Sequence, residues 1–272
     1  MHYLIEHFGL LPGWLLAAFA IFFRYLVFAG LAFILFYRLD HKLFRHLKIQ
    51  NRTAEQRHML AEILHSGYSA LIFGLIGVGL YFLRTAGYTQ IYTDWNTYGA
   101  WYIPISFLLL LVLHDTYFYW VHRLMHHPRL FKRLHRVHHQ SFNPTPWASL
   151  SFHPLEAIVE VAIVPVAALI IPFHPLVLFL FATWSLLWNV VGHLGYEIFP
   201  AGFVHHPVFR WFNTSTHHNM HHERSGCNYG LYFNFWDTVM NTNHNAYHAT
   251  FDRITAPEIQ KDPKTVSGGQ FR

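Results

Sequence analysis

Charged residues and cysteine are scarce in this chain. Asp, Glu, Lys and Arg make up only 12% of its 272 residues, and hydrophobic residues make up 53%, whereas soluble proteins average about 25% charged residues. Most of the surface therefore cannot face water, and the composition predicts a membrane protein. The single cysteine, Cys227, excludes an internal disulfide and agrees with a reducing compartment. Basic residues are not interleaved with aromatic residues, which argues against nucleic acid as a partner.

Apolar residues are concentrated in five runs. These runs cover residues 14–36, 68–82, 102–113 with a continuation to 120, 158–171 and 176–191. Only the first reaches the roughly 20 residues that a helix needs to cross a bilayer, so the others need their flanks. Pro172 and Pro175 interrupt the last pair, which we interpret either as a spanning hairpin or as a segment that dips into the bilayer and returns. The chain is thus predicted to be all-α, with about four to five transmembrane helices.

Lysine and arginine follow alternate runs. They are frequent in residues 38–57, 123–136 and 210–264, which follow the first, third and fifth runs, whereas only Arg84 lies between the second and third runs. Because Lys and Arg collect in cytoplasmic loops, five alternating crossings place these basic segments on the cytoplasmic side. The net charge of +5 then reflects topology and attraction to anionic headgroups.

Histidine is abundant, with 24 copies, and eight of them form three clusters. The clusters are His122 with His126, His135 with His138 and His139, and His218 with His221 and His222. Spacings of three and four place side chains on one face of a helical turn. A lone histidine is ordinarily a core residue with a hydrogen-bond partner, but clustered polar side chains beside apolar segments are costly without a ligand. All eight are predicted to bind metal, on the cytoplasmic side.

The third run carries an acidic residue on the same stripe as the first cluster. If one helix continues through it, Asp115, His122 and His126 share a face, because their offsets are zero, seven and eleven residues. We predict that Asp115 orients a ligand imidazole through its second ring nitrogen. The alternative is an ion pair of Asp115 with Arg123 or Arg136.

Further candidates lie between the second and third clusters. His193, at the cytoplasmic end of the fifth run, is the predicted ninth ligand. Glu197, one turn later, is predicted to complete a coordination sphere or to hold a water. His153 and Glu156 have two interpretations, structural capping and orientation of a ligand. His217 is an alternative ligand in the third cluster.

Nine imidazole ligands are more than one tetrahedral zinc uses, so two metals are implied. Imidazole suits iron, copper, nickel and zinc alike. Two iron ions with O2 would support oxidation of an unactivated C–H bond, which is the leading hypothesis. The alternatives are a zinc-dependent lipid hydrolase and a membrane metal-handling protein, although otherwise apolar spans argue against a metal path.

The histidine motifs resemble those of the fatty acid hydroxylase/sterol desaturase superfamily of integral membrane di-iron enzymes. The resemblance covers residues 113–242 and extends to four shorter motifs: Tyr119-Trp120 before His122, His153-Pro-Leu-Glu156, Asn228-Tyr229-Gly230, and Trp236-Asp237. It implies a helix bundle with a cytosolic His-rich cap that holds two iron ions. Zinc found in purified protein would be a replacement for iron. It also implies O2 as co-substrate and a lipid, sterol or fatty acyl substrate that enters from the bilayer, to be hydroxylated or desaturated.

The chain departs from that pattern in two places. The first cluster has three intervening residues, as in the sterol desaturase branch, and Glu197 stands where the fatty acid 2-hydroxylase branch has another histidine. The His-Pro-Gly-Gly segment of a fused cytochrome b5 domain is missing as well, so we expect electrons from a separate NAD(P)H-linked donor, either cytochrome b5-like or a ferredoxin with its reductase.

Residues 1–272 are predicted to form one domain, with a loose tail at residues 256–272, where proline and glycine are frequent. A lysine-rich ER retrieval ending is not present, which favours a bacterial inner membrane over the ER.

Overall fold

The computed structural model describes residues 1–39, 44–52 and 56–256, and within them the chain is helical, with isolated β-bridges only. The predicted tail lies outside the described residues except for Ala256. We number the helices in chain order: α1 His2–Phe8, α2 Leu10–Leu39, α3 Gln56–Thr85, α4 Tyr102–Met125, α5 Pro128–Leu134, α6 Arg136–His139, α7 Pro154–Val161, α8 Ile163–Ile170, α9 Pro175–Gly192, α10 Ser215–Arg224, α11 Phe235–Val239 and α12 Tyr247–Thr255.

Four of the described helices, α2, α3, α4 and α9, are long and apolar enough to cross a membrane. Their outer faces carry large exposed apolar side chains, among them Phe19, Leu75, Leu108 and Val112. Helices suit a bilayer because their backbone groups are hydrogen-bonded within the segment. The predicted all-α, multi-span membrane bundle is confirmed.

The fourth apolar run is not a single helix. It is divided at Ala162 into α7 and α8, each eight residues long. Pro165 explains the division, because a proline has no N–H to donate to the residue four positions earlier, here Val161, and its ring clashes with that carbonyl. Four of the five apolar runs therefore lie in long helices, and the fourth run lies in this broken pair.

The broken pair nevertheless carries the chain from one end of the bundle to the other. The Gln90 N–H, beyond the end of α3, donates to Ala168 O (2.7 Å), and the Tyr92 N–H donates to Phe173 O (3.3 Å). At the opposite end, the Ile49 N–H, after α2, donates to Gly195 O, after α9 (3.1 Å). The broken pair thus runs along the bundle and returns through α9 as a hairpin, although neither α7 nor α8 is by itself long enough to cross a membrane.

Helices α2 and α3 pack closely through small residues. A Cβ atom added to Gly74 would lie 3.1 Å from Trp14 Cδ1 and 3.2 Å from the Ala18 Cβ. Within a membrane, where helices gain little from the hydrophobic effect, such close approach supplies the packing that holds them together.

We predict that Gly74→Ala destabilises the bundle by about 1–3 kcal/mol, because the added methyl group overpacks this contact. Gly79→Ala, in the same helix, is the matched control, since a Cβ there would meet nothing within 4 Å. Both changes give the same gain in helix propensity, so thermal unfolding of the two variants in detergent isolates the packing effect. Equal midpoints would contradict the assigned role of Gly74.

Candidate metal centre

All nine histidines predicted as ligands converge, and they do so in two groups. One group, which we call the five-histidine group, is His122, His126, His135, His139 and His221. The other, the four-histidine group, is His138, His193, His218 and His222. Within each group the ligating nitrogens lie within 4.8 Å of one another. The arrangement has the form of two neighbouring metal sites.

Adjacent histidines are what divide the ligands between the groups. His138 and His139 occupy successive positions of α6, and His221 and His222 occupy successive positions of α10. Because neighbouring residues on a helix point about 100° apart, each pair sends one imidazole to each group. Two short helices thereby contribute to both sites.

Hydrogen bonds on the far side of the rings determine which nitrogen carries the proton. Four of the nine histidines place Nδ1 against a backbone carbonyl oxygen, which only accepts. The pairs are His122 with Tyr229 (2.8 Å), His138 with Ser151 (3.2 Å), His193 with Asn189 (2.7 Å) and His221 with Cys227 (2.7 Å). Each Nδ1 therefore holds the proton, and in the neutral ring Nε2 keeps its lone pair.

The Nε2 atoms are so close that a cation between them is the arrangement that fits. His138 Nε2 lies 3.3 Å from His193 Nε2, and both rings have their proton on Nδ1. Two lone pairs at this distance repel each other, whereas a metal ion turns them into ligands. The residues present thus fit a metal in the four-histidine group.

Burial keeps these imidazoles in the neutral form that binds metal. Desolvation, reinforced by the neighbouring imidazoles, lowers the pKa of His138, His218 and His222 well below the usual range. The same cause lowers the pKa of His139 to about 3 and that of His193 to about 4.

Of the two candidates at the start of α7, one orients a ligand and the other caps the helix. His135 donates from Nδ1 to the buried Glu156 Oε1 at 2.6 Å, while its Nε2 lies 3.0 Å from His122 Nε2. A carboxylate in this position holds the ring and raises its basicity towards a metal. His153 instead accepts the Leu155 N–H at the beginning of α7 (3.2 Å).

The model of the fatty acid hydroxylase family matches residues 107–242, half of the chain. The chain belongs to this family. Its relatives include a Delta(7)-sterol 5(6)-desaturase of Gibberella zeae, which is 31% identical over 82% of this chain and 66% of the relative. A Delta(7)-sterol 5(6)-desaturase of Aspergillus fumigatus is 30% identical over 88% of this chain and 74% of the relative. Human lathosterol oxidase is 29% identical over 75% of this chain and 66% of its own length. No solved structure shows significant similarity.

These comparisons confirm the family predicted from the histidine motifs. The matched region contains all nine histidines. The names of the relatives, desaturase and oxidase, belong to the predicted class of enzyme, an oxidoreductase that acts on a lipid. The chain spans about two thirds of the length of two of the three named relatives and three quarters of the third.

Asp115 does not take the position predicted for it. Its Oδ1 accepts the N–H groups of Tyr232 and Phe233 at 2.8 and 3.2 Å, and the Nδ1 of His122 is taken by a backbone carbonyl instead. Asp115 and His122 do lie on one helix, α4, as predicted, but they are seven residues apart, or about 10 Å along the helix axis. The carboxylate therefore anchors the chain segment after Tyr229 rather than a ligand ring.

Glu197 also lies outside both histidine groups. Its Oε2 accepts the Thr216 N–H at 2.8 Å and its Oε1 accepts the Phe199 N–H at 3.0 Å, so it caps the first turn of α10. The prediction assumed a helix continuing past His193. Instead α9 ends at Gly192, and Gly195 has a φ of 76°, which turns the chain away.

Asp237 organises the five-histidine group through the backbone, a role that the spelling did not reveal. It accepts the N–H groups of Tyr229 (2.9 Å) and Gly230 (2.6 Å) and so fixes the carbonyl that binds His122. Gly230 is required there, because a Cβ would lie 2.7 Å from Phe233 O and 2.9 Å from Asp237 Oδ2. His217, the alternative ligand, lies outside both groups, with its Nε2 3.5 Å from Asp237.

We predict unequal metal loss when one ligand is removed from each group. His138→Ala leaves three imidazoles in its group, whereas His221→Ala leaves four in the other. Because three ligands hold an ion more weakly than four, we expect His138→Ala to lose about one metal per chain and His221→Ala to lose less. His127→Ala, which changes an exposed neighbour of the first cluster, is the control. Metal per chain, measured by mass spectrometry of purified protein, checks this, and full metal in His138→Ala would contradict the assignment.

Proposed function

We propose that this chain is an iron-dependent membrane oxidoreductase that uses O2 to hydroxylate or desaturate a C–H bond of a lipid. The observation that carries the proposal is the pair of adjoining groups of five and four histidine nitrogens, with protons directed outward and lone pairs directed inward. When bound, two iron ions would supply the activation of O2 that attack on an unactivated C–H bond requires. Zinc in purified protein would represent replacement of iron.

The chain's own residues hold this centre and keep water from it. Glu156 orients His135, and backbone carbonyl oxygens orient four further ligand rings. The Phe118 ring lies 4.9 Å from that of His122, and the Phe152 ring lies 5.2 Å from that of His138. These apolar walls exclude water, which protects a reactive oxidant from side reactions.

The names of the relatives supply the first substrate to test, a Δ7-sterol. We expect iron-loaded protein, given a reductant and ¹⁸O2, to convert it in an O2-dependent reaction. A hydroxylated product would carry ¹⁸O, whereas a desaturated product would have lost two hydrogens and gained no label. A Mössbauer spectrum after growth on enriched iron should show two coupled irons per chain. Lipid hydrolysis by zinc-loaded protein, with no O2-dependent product after iron reconstitution, would overturn the proposal in favour of the zinc hydrolase.

We further propose that a separate NAD(P)H-linked donor, cytochrome b5-like or a ferredoxin, docks beside the five-histidine group on the cytoplasmic side. Three exposed basic residues, Arg129, Lys132 and Arg133, lie on α5 between the first two histidine clusters, and a fourth, Arg136, begins α6 within the second cluster. His126 and His139 are the half-buried ligands of the centre, so electrons have their shortest protein path here. The Lys and Arg distribution supports a cytoplasmic location for this face, in a bacterial inner membrane.

We predict that Lys132→Glu with Arg133→Glu raises the KM for an acidic donor protein about tenfold or more at low salt, because docking depends on charge complementarity. The kcat with a small chemical reductant should be unchanged. Arg253→Glu, which reverses an exposed charge on α12, is the control. Steady-state kinetics at two ionic strengths measure the effect, and an unchanged KM at low salt would locate docking elsewhere.

A further inference from the structure

Glu62 in α3 is a buried carboxylate outside both histidine groups, and it binds the segment that follows the second histidine cluster. We call residues 141–151 the connecting segment. Ser141 Oγ donates to Glu62 Oε1 (2.6 Å), and Thr145 Oγ1 donates to Glu62 Oε2 (3.1 Å). All three side chains are 5% exposed or less. A buried carboxylate is costly unless its oxygens are hydrogen-bonded, so these two bonds hold the connecting segment against α3.

Gln50, between α2 and α3, holds the same segment and links it to the third histidine cluster. Its Nε2 donates to Phe142 O (3.0 Å) and to Asn219 Oδ1 (2.8 Å). Asn219 follows His218 on α10. One buried amide therefore joins the connecting segment to the helix that carries the third cluster.

The far end of the connecting segment contacts a ligand ring. The carbonyl oxygen of Ser151 accepts from His138 Nδ1 (3.2 Å), and four residues earlier Tyr25 of α2 donates to Trp147 O (2.7 Å). If the segment moved away from α3, the Ser151 carbonyl would leave His138, and the ring would lose the partner that orients it. The carbonyl and carboxylate partners of the five-histidine group lie elsewhere in the chain, at Tyr229, Cys227 and Glu156.

We propose that Glu62 and Gln50 are positioning residues of the metal centre, which act on the four-histidine group through the connecting segment and His138. Both residues precede residues 107–242, the region that the family model matches. The N-terminal helices thus serve the metal centre as well as the membrane anchor. This inference goes beyond the proposed function, because it concerns the retention of metal ions and holds for an oxidoreductase and a hydrolase alike.

The test is the Zn²⁺ affinity of the full-length protein in phosphatidylcholine nanodiscs, measured after metal removal by competition with a chromophoric chelator. The unchanged protein should bind one ion in each histidine group. In Glu62→Leu, which accepts from neither hydroxyl, we expect one ion to bind about 10–100-fold more weakly, the effect typical of partners that orient a ligand. Glu62→Gln should recover most of this affinity, because its amide can accept from one hydroxyl and donate to the other.

Double variants identify the group that is affected. In His138→Ala the tightly held ion is that of the five-histidine group, and adding Glu62→Leu should leave its affinity unchanged. In His221→Ala, adding Glu62→Leu should weaken the ion of the four-histidine group as much as it does in the otherwise unchanged protein. A loss of equal size in both backgrounds would indicate a general structural effect and overturn the inference.

Ser69→Ala, in the same helix as Glu62, is the matched control. The buried Ser69 Oγ donates to the carbonyl oxygen of His65 in its own helix (3.1 Å), so both Zn²⁺ affinities should be retained. If Glu62→Leu does not fold, Gln50→Glu tests the same support, because it keeps the size of the side chain and replaces the amide donor with an acceptor. It should weaken the same ion.

Two results would contradict the inference in distinguishable ways. Unchanged affinity for both ions in Glu62→Leu and in Gln50→Glu would overturn the positioning role and leave the metal centre intact. Failure of the unchanged protein to bind Zn²⁺ would refute the metal centre itself, and the positioning role with it.

Discussion

Nine imidazole rings direct their Nε2 atoms into two small volumes, and the surrounding structure serves to hold them there. Lone pairs 3.0 to 3.3 Å apart, as between His122 and His135 or His138 and His193, repel unless a cation joins them. Burial makes the alternative remedy, protonation, unfavourable, because the pKa values of these rings fall. Metal binding at these groups would therefore be coupled to the folding of this region.

Buried carboxylates support the centre mainly through the backbone. Asp237 fixes the loop at Tyr229, Asp115 fixes the same segment a few residues later, and Glu197 caps α10. Each satisfies backbone N–H groups of a segment that carries a histidine or a carbonyl oxygen bound to one. Of Asp115, Glu156, Glu197 and Asp237, only Glu156 contacts a ring of the two histidine groups directly. These acids thus fix the geometry of the site, and the charge that faces the two histidine groups stays low.

Periodicity and hydropathy predicted four long apolar helices and the convergence of the nine histidines, because both depend on local spacing. Spacings of three and four predict eight of the histidines, and a position at the end of the fifth run predicts His193. All nine converge. Their division into five and four was not predictable, since it depends on how α6 and α10 face each other. The predictions for Asp115 and Glu197 were wrong for a related reason. A shared helix face does not bring Asp115 into contact with His122, and α9 does not continue past Gly192 to carry Glu197. Hydropathy likewise missed the break before Pro165, because proline interrupts a helix without making it polar.

For the proposed oxidoreductase, the position of the histidine groups at one end of the bundle would separate the supply of electrons from the supply of lipid. Half-buried His126 and His139 lie beside exposed basic residues of α5 and α6, and Phe118 and Phe152 separate the opposite side of the centre from a cavity among the spans. In the proposed reaction, electrons and lipid would arrive from different directions and would not compete for one opening.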